Sequence, residues 1–423
     1  MSPFELSTPK PTSLSPSLDY DLAIVGGGIV GNTLALALQN SGLRVVLIEA
    51  QQESISVAKG RAYVLSMLSG QIFAGLGIWE RVLPQICQFR EIQISDADYG
   101  GVVKLYPQDL GTEVLGYAAT HEVLLTALQS AIQRAENMTI LCPAQVVAVE
   151  NRDGYSEITV QTADAPQQKI RTRLTIGADG SQSPLRQRAG INTLGWNYWQ
   201  SCVTATIKPE KPHGNVAYER FWYAGPIGVI PLADGCCQVV WTVPHQEAQE
   251  LQDLPLTEFL ERLEHRTGGL LGKLELVGQR WLFPVKLMQS QDYIRERLAL
   301  VGDAAHCCHP VTGQGMNLGI RDAAALAEIL IAAGDRGEDI GSLEVLKRYE
   351  RWRKPENGFI LAVTDFLDRL FSNRVLPLVS IRRLGLFVLD RVRPFKHIAL
   401  RVMTGLAGKL PQLARKKSTP ILQ

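Results

Sequence analysis

Two glycine-rich segments carry most of the chemistry open to this sequence. The first is Gly26-x-Gly28-x-x-Gly31, set between a short apolar run and a stretch of small apolar residues that begins at Ile29. In such a loop the first glycine makes a tight turn, the second lets the backbone approach a pyrophosphate, and the third lets the helix pack close to the strand. The helix N-terminal amides and dipole then favour anionic phosphates. Glu49 closes the next apolar run, where a carboxylate can accept hydrogen bonds from an adenosine ribose. This pattern points to dinucleotide binding, and by itself it leaves FAD and NAD equally open.

The second segment, residues 302 to 322, reads GDAAHCCHPVTGQGMNLGIRD. Gly302 and Asp303 follow the apolar run 298–301, where an acid can bind a ribityl hydroxyl. Pro310, Gly313 and Gly315 shape a loop whose backbone can approach a flat ring closely. A helix opens near Met316, and its N-terminal dipole would face the edge of a flavin where negative charge gathers on reduction.

This segment resembles the class A flavin monooxygenases of the para-hydroxybenzoate hydroxylase type, and most of all the ubiquinone-biosynthesis hydroxylases. Their pattern, GDAAH-x-x-HP-x-x-GQG-x-N-x-G-x-x-D, is met by Gly302, Asp303, His306, His309, Pro310, Gly313, Gln314, Gly315, Asn317, Gly319 and Asp322. Gly177 to Arg186 is similar to the family's GADG-x-x-S-x-x-R motif. Arg61 in GRAYVLS matches an arginine near the flavin. Gly225 to Leu232 resembles the strand GP-x-A-x-L-P-L that faces the substrate, with Gly228 in place of the usual alanine.

The resemblance implies FAD as cofactor, NAD(P)H as transient reductant and O2 as co-substrate. Hydroxyl transfer would run from a flavin C4a-hydroperoxide to an electron-rich ring carbon. The implied cofactor contacts are Gly26, Gly28, Ile29, Gly31, Glu49, Arg61, Val146, Asp179, Gly302, Asp303, Gly313, Gly315, Met316 and Asn317. The implied cavity residues are Trp222, Gly225, Pro226, Gly228 and Ile230. His309, beside Pro310, is the candidate for polarising a phenol. With no carboxylate cluster around them, His306 and His309 make a poor metal site and are expected to organise the loop. The implied substrate is a small apolar, polyprenylated phenol of quinone biosynthesis, met alone or within a quinone-biosynthesis protein complex. A prenyl-chain reductase or dehydrogenase on the same scaffold and a non-catalytic flavin-binding assembly subunit are the competing readings. A flavin halogenase is disfavoured by the absence of a W-x-W-x-I-P segment.

These residues need a scaffold. Residues 21–25, 29–39 and 44–49 read as a β-α-β unit and imply a parallel sheet. Helices are expected over 66–76, 120–135 and 316–332, and a hairpin around Asp153-Gly154. Residues 192–284 alternate aromatic and β-branched runs with turns and read as a mostly antiparallel sheet. The fold class is therefore α/β: a Rossmann-like FAD-binding domain (19–95, 118–191, 285–347), a mixed or antiparallel substrate domain (96–117, 192–284) and a helical C-terminal region (348–423). Residues 1–18, rich in Ser, Pro and Thr, read as a disordered leader.

Composition bounds the rest. A net charge of +1 gives no general attraction to nucleic acid. Seven cysteines without a C-x-x-C pair fit a reducing, cytoplasmic compartment. Arg374, Arg382, Arg383, Arg391, Arg393, Lys396 and Arg401 are interleaved with apolar residues near the C-terminus. That surface fits peripheral contact with an anionic membrane, and fits a solvated helix packed on the FAD domain equally well.

Overall fold

The apolar run Tyr20–Val25 is a central strand of an eight-stranded sheet. It pairs in parallel with Val45–Ile48 on one side and Ala165–Gly177 on the other, and Leu298–Leu300 extends the parallel set. The computed structural model describes residues 17–52, 60–97, 100–163 and 165–415. All but the last two residues of the expected leader lie outside that range. Strands buried on both faces read as continuous apolar runs, and Leu22, Ile24, Val46, Leu174 and Ile176 are all buried. Helices Ile29–Ala37, His121–Ile132 and Gly315–Asp335 cover this sheet, the first packing on both others. The expected hairpin is present as Gln145–Arg152 and Tyr155–Thr162, with Gly154 at φ +82° in its turn.

The register brings four chain ends to one edge. Val25 lies beside Ile48 and Gly177, and Gly177 beside Leu300. Each strand therefore delivers its next residues, Gly26, Glu49, Ala178-Asp179 and Gly302-Asp303, to the same carboxyl-end crevice. Ligands of open α/β sheets bind there.

A second eight-stranded sheet holds Thr193–Pro209, Val216–Phe221, Ile227–Pro231, Cys237–Pro244 and Leu274–Ser290. Its far edge is Glu91–Asp96 and Val102–Leu105, so the expected boundary after residue 95 falls inside a strand of this sheet. At the other edge His306–Cys307 pairs with Met288 and Gln289, which ties the second glycine-rich segment directly to the sheet. Two helices not expected from sequence, His245–Asp253 and Leu256–Arg266, cover one face. They pack Leu251, Phe259 and Leu263 on Val203, Val239 and Trp241. The opposite face turns toward the glycine-rich segments and a small sheet of Ala62–Leu65, Gly116–Thr120 and Cys87–Phe89.

The C-terminal region is helical, as Leu343–Phe371, Leu376–Arg391 and Arg393–Met403. Arg382 departs from the basic surface expected of it. It is buried, donating to both carboxylate oxygens of Asp96 at 2.6 and 3.2 Å. No helix among the described residues is long and apolar enough to cross a membrane.

Candidate active site

The first glycine loop has the geometry its spacing predicts. Gly26 takes φ +110°, and a Cβ there would lie 2.3 Å from the Ala178 carbonyl oxygen. A Cβ on Gly31 would lie 1.9 Å from the Gly26 oxygen. Among the described residues, a Cβ on Gly28 would meet nothing within 4 Å and no side chain caps helix Ile29–Ala37, so open space lies before its N-terminus. Two glycines thus close the turn and the third leaves a cradle. Glu49 accepts from the Gly27 and Gln51 amides at 2.6 and 2.7 Å, which fixes its carboxylate beside the loop.

The Gly302–Ala304 turn is held from behind. Asp322 is fully buried and accepts from the Gly302 amide (3.1 Å), His306 Nε2 (2.6 Å), Arg353 Nε (2.8 Å) and Asn357 Nδ2 (3.0 Å). Burial alone raises its pKa, but the His306 and Arg353 charges and the hydrogen bonds outweigh it and hold the carboxyl well below the usual range. Arg186 donates to the Ala304 and Ser181 carbonyls at 2.8 and 3.1 Å, joining this turn to the Asp179-Gly180 motif. Asp303 stays accessible to solvent while protein encloses it on most sides. Desolvation raises its carboxyl against the pull of His306, Lys286 and Arg61. That is the environment of an acid on the floor of a cleft. Asp179 is likewise raised by desolvation, and its Oδ1 is buried without a partner among the described residues.

Arg61 is exposed, with its guanidinium 5.2 Å from the Phe283 ring. Tyr63, two residues on, feels both Arg61 and Asp303, and burial pushes it up to about 12. Val146 packs its side chain into the core beside Ile158 and Leu185, leaving its carbonyl to accept from Arg188 at 3.1 Å.

The loop from Pro310 to Gly315 is pinned by residues expected to touch the cofactor. Asn317 spends its whole amide internally. Oδ1 accepts from the Ser66 amide and Ser69 Oγ, while Nδ2 donates to the Val64 and Gly313 carbonyls. Only its backbone, at the N-terminus of helix Gly315–Asp335, is free to face a ring. Gly313 takes φ +62°, and Thr312 takes φ +72°, a conformation that costs a β-branched residue energy. Met316 packs on the main core, and Gly315 has only Cys308 Sγ, at 3.8 Å, near its absent Cβ.

His309 is fully buried. Its Nδ1 accepts from the Val311 amide at 3.1 Å, so Nε2 carries the proton and faces Gln200 Oε1 at 3.3 Å and Asp368 Oδ1 at 3.5 Å. Desolvation lowers its pKa despite the opposing pull of Asp368 and Asp365. Both nitrogens are occupied, so a free lone pair for a phenol, as expected of a base, is lacking. Instead His309 joins the loop to Gln200, which also donates to the Ala224 carbonyl at 3.3 Å in the turn before Gly225-Pro226. Gly225 has φ +135°, and a Cβ there would strike the Thr242 oxygen at 2.5 Å.

On the strand after this turn, side chains alternate. Ile227 and Val229 join the helix-covered core, while Ile230 faces Ala118, Val240 and Val64. Gly228 shares the latter face. Trp222, expected beside Gly228 and Ile230, does not share their face. It lies on the helix-covered side, where the Arg266 guanidinium stacks 4.4 Å from its ring and donates to the Gly225 carbonyl at 3.1 Å. One residue of phase sends a strand side chain to the other face.

Glu219, missed in the sequence, is on the same face as Gly228 and Ile230, away from the two covering helices. It stands opposite Gly228 and Ile94, and a Cβ on Gly228 would lie 3.2 Å from its Oε2. A carboxylate between Ala217 and Phe221, on a strand opposite a glycine, was the available signal.

An uncapped helix before an open glycine, a glutamate fixed beside that loop, an enclosed aspartate with free approach and a glycine-rich loop at a helix N-terminus all fit FAD. The fold and site define an FAD-binding protein of the class A flavin monooxygenase architecture. The chain matches the FAD binding domain family over residues 19–360. It is similar to slr1300, an uncharacterized protein of Synechocystis sp., at 48% identity over 94% of this chain and 96% of that one. It is similar to the ubiquinone hydroxylase UbiL of Rhodospirillum rubrum at 35% identity over 97% and 96%. The crystal structure of p-nitrophenol 4-monooxygenase PnpA from Pseudomonas putida superposes with a TM-score of 0.79 at 20% identity, over 92% of this chain and 98% of that one, which speaks to the fold. The chain belongs to the ubiquinone-biosynthesis hydroxylase family of FAD-dependent monooxygenases.

Proposed function

We propose that this chain hydroxylates the ring of a polyprenylated phenol on a route to a quinone, with NAD(P)H as transient reductant and O2 as co-substrate. The carrying observation is the apolar face of Ile94, Phe221, Ile230 and Val240 turned toward Val64 and Val311 of the flavin side. Gly228 lies on this face beneath the Glu219 carboxylate, whose Oε2 is 3.2 Å from where a Cβ would stand. When bound, the reduced flavin activates dioxygen and delivers one of its oxygen atoms. The protein orients the ring, excludes water and keeps the loop in place through Asn317 and His309. His309 acts here as a positioning residue, and Asp303 and Glu49 hold the ribityl and ribose hydroxyls. The activity of UbiL supports the pathway.

The C-terminal surface supports a peripheral membrane source for such a substrate, met from the cytoplasmic side. Leu376, Ile381, Leu384, Phe387, Phe395 and Ile398 are exposed beside Arg374, Arg391, Arg393 and Arg401. An apolar row flanked by arginines suits an anionic bilayer surface.

The test is anaerobic reduction of the FAD-loaded enzyme by NADH or NADPH, then oxygen, with short-chain and prenylated phenols and mass detection of product. Product heavier by one oxygen, with that atom from O2, is expected. Reduction of a prenyl double bond without oxygen consumption would establish the competing reductase.

A further inference from the structure

The strand Val216–Phe221 places a carboxylate where apolar side chains surround it. Ala217 and Phe221 flank Glu219 on the cavity face, with Ile94 and Gly228 directly across from it. No hydrogen bond or ion pair to Glu219 forms among the described residues. Its side chain retains partial solvent access, so it is not sealed in packing. A partly buried carboxyl among apolar side chains, with no protein partner, costs stability, and such costs are tolerated mostly at functional sites.

We propose that Glu219 binds the hydroxyl of the substrate phenol and takes its proton. This rests on the hydroxylase reading above. In the step, the phenol O–H bond breaks and a carboxyl O–H bond forms on Glu219. The bonding pair stays on the phenol oxygen and enriches the ortho and para ring carbons, which favours attack by an electrophilic oxygen. Burial alone pushes the Glu219 carboxyl up to about 8, with no charged neighbour contributing. That narrows the gap to a phenol of pKa roughly 10 and sets the group near the operating pH. The titratable groups on the adjoining elements are Cys202, pushed up to about 12 and paired with Thr242 at 3.1 Å so that it stays protonated, Asp368, which faces His309, and Asp96, clasped by Arg382. The enclosed Asp303 serves the ribityl side and His309 has no free lone pair, which leaves Glu219 for the phenol.

The test uses FAD-loaded enzyme with two probes, 2-prenylphenol and its methyl ether, followed by the flavin absorbance change on binding. Wild type should bind the phenol about tenfold or more tightly than the ether, the size of one hydrogen bond to a charged group. Glu219→Leu should erase the preference, so that phenol and ether bind equally. Glu219→Gln, closer in shape, should lose the ionisation near pH 8 from the pH profile of kcat. An intact preference in E219L, or an intact ionisation in E219Q, overturns the Glu219 assignment and leaves the hydroxylase reading standing. If wild type binds neither probe, the reading and the assignment fall together.

Discussion

His306 Nε2 lies 2.6 Å from Asp322 Oδ2, with both side chains buried. An ionised carboxylate only accepts, so the imidazole donates from Nε2. The same oxygen receives the Gly302 amide, so one carboxylate fixes the start of the turn that aims Asp303. Asp322→Asn removes one of the two carboxylates that compensate Arg353, Glu356 being the other, and should cost up to roughly 3–5 kcal/mol. Denaturant titration of the two proteins measures this. The Asp322 pKa is depressed in the folded state below its ordinary 3.8. Its contribution is therefore complete above that value and lost as pH falls below it. The gap between wild type and D322N should narrow below about pH 4, and a constant gap down to strong acid would contradict the cluster's ionisation.

Asp303→Ala removes the acid on the cleft floor without touching the core. We expect FAD affinity to fall about tenfold or more, the loss of a charge-assisted hydrogen bond. Flavin titration of the apoprotein measures it. A variant that purifies yellow with unchanged affinity would show that Asp303 does not hold the cofactor.

Glu219 makes a prediction about the unliganded fold. Its folded-state pKa of about 8 lies above its ordinary 4.5, so the folded protein binds the extra proton between those values. Stability should fall as pH rises from about 4.5 to 8. E219Q, which cannot ionise, should gain in melting temperature over wild type at pH 9 and show little gain at pH 5. Equal gains at both would mean that the carboxyl does not titrate in the fold.

The membrane surface is tested by Leu384→Ser with Phe387→Ser, two side chains that are 62% and 52% exposed. Removing them should weaken binding to phosphatidylcholine vesicles containing phosphatidylglycerol about tenfold or more, given ~1.5–3 kcal/mol for each buried apolar side chain. Turnover of a short-chain phenol in solution should not change. Undiminished flotation with vesicles would remove this surface from consideration.

The nucleotide half of the site was legible because each motif falls at a strand end, where local spacing and spatial position coincide. Gly26, Glu49, Asp179 and Asp303 sit on strands adjacent in register, so short-range patterns reported a shared edge. The substrate half was harder to read. Its sheet is covered on both faces, which erases the polar-apolar alternation that marks an inner side. Trp222 and Glu219 were consequently read on the wrong side or passed over. The helices His245–Asp253 and Leu256–Arg266 were missed inside a β-rich stretch, although Phe259 and Leu263 at i and i+4 carried the signal. Arg382 looked like its exposed neighbours because its partner, Asp96, is distant in sequence.

That Arg382–Asp96 clasp has a mechanical meaning. Asp96 pairs with Phe221, two residues beyond Glu219, and the Phe221 ring stacks on Phe371 at 3.9 Å. Helix Leu376–Arg391 is thus braced against the edge of the second sheet by a buried charge pair, and the end of helix Leu343–Phe371 by an aromatic stack. The clasp acts as a strut rather than a tether: a rigid charge pair joins the helix to Asp96, whose strand lies beside the one carrying Glu219.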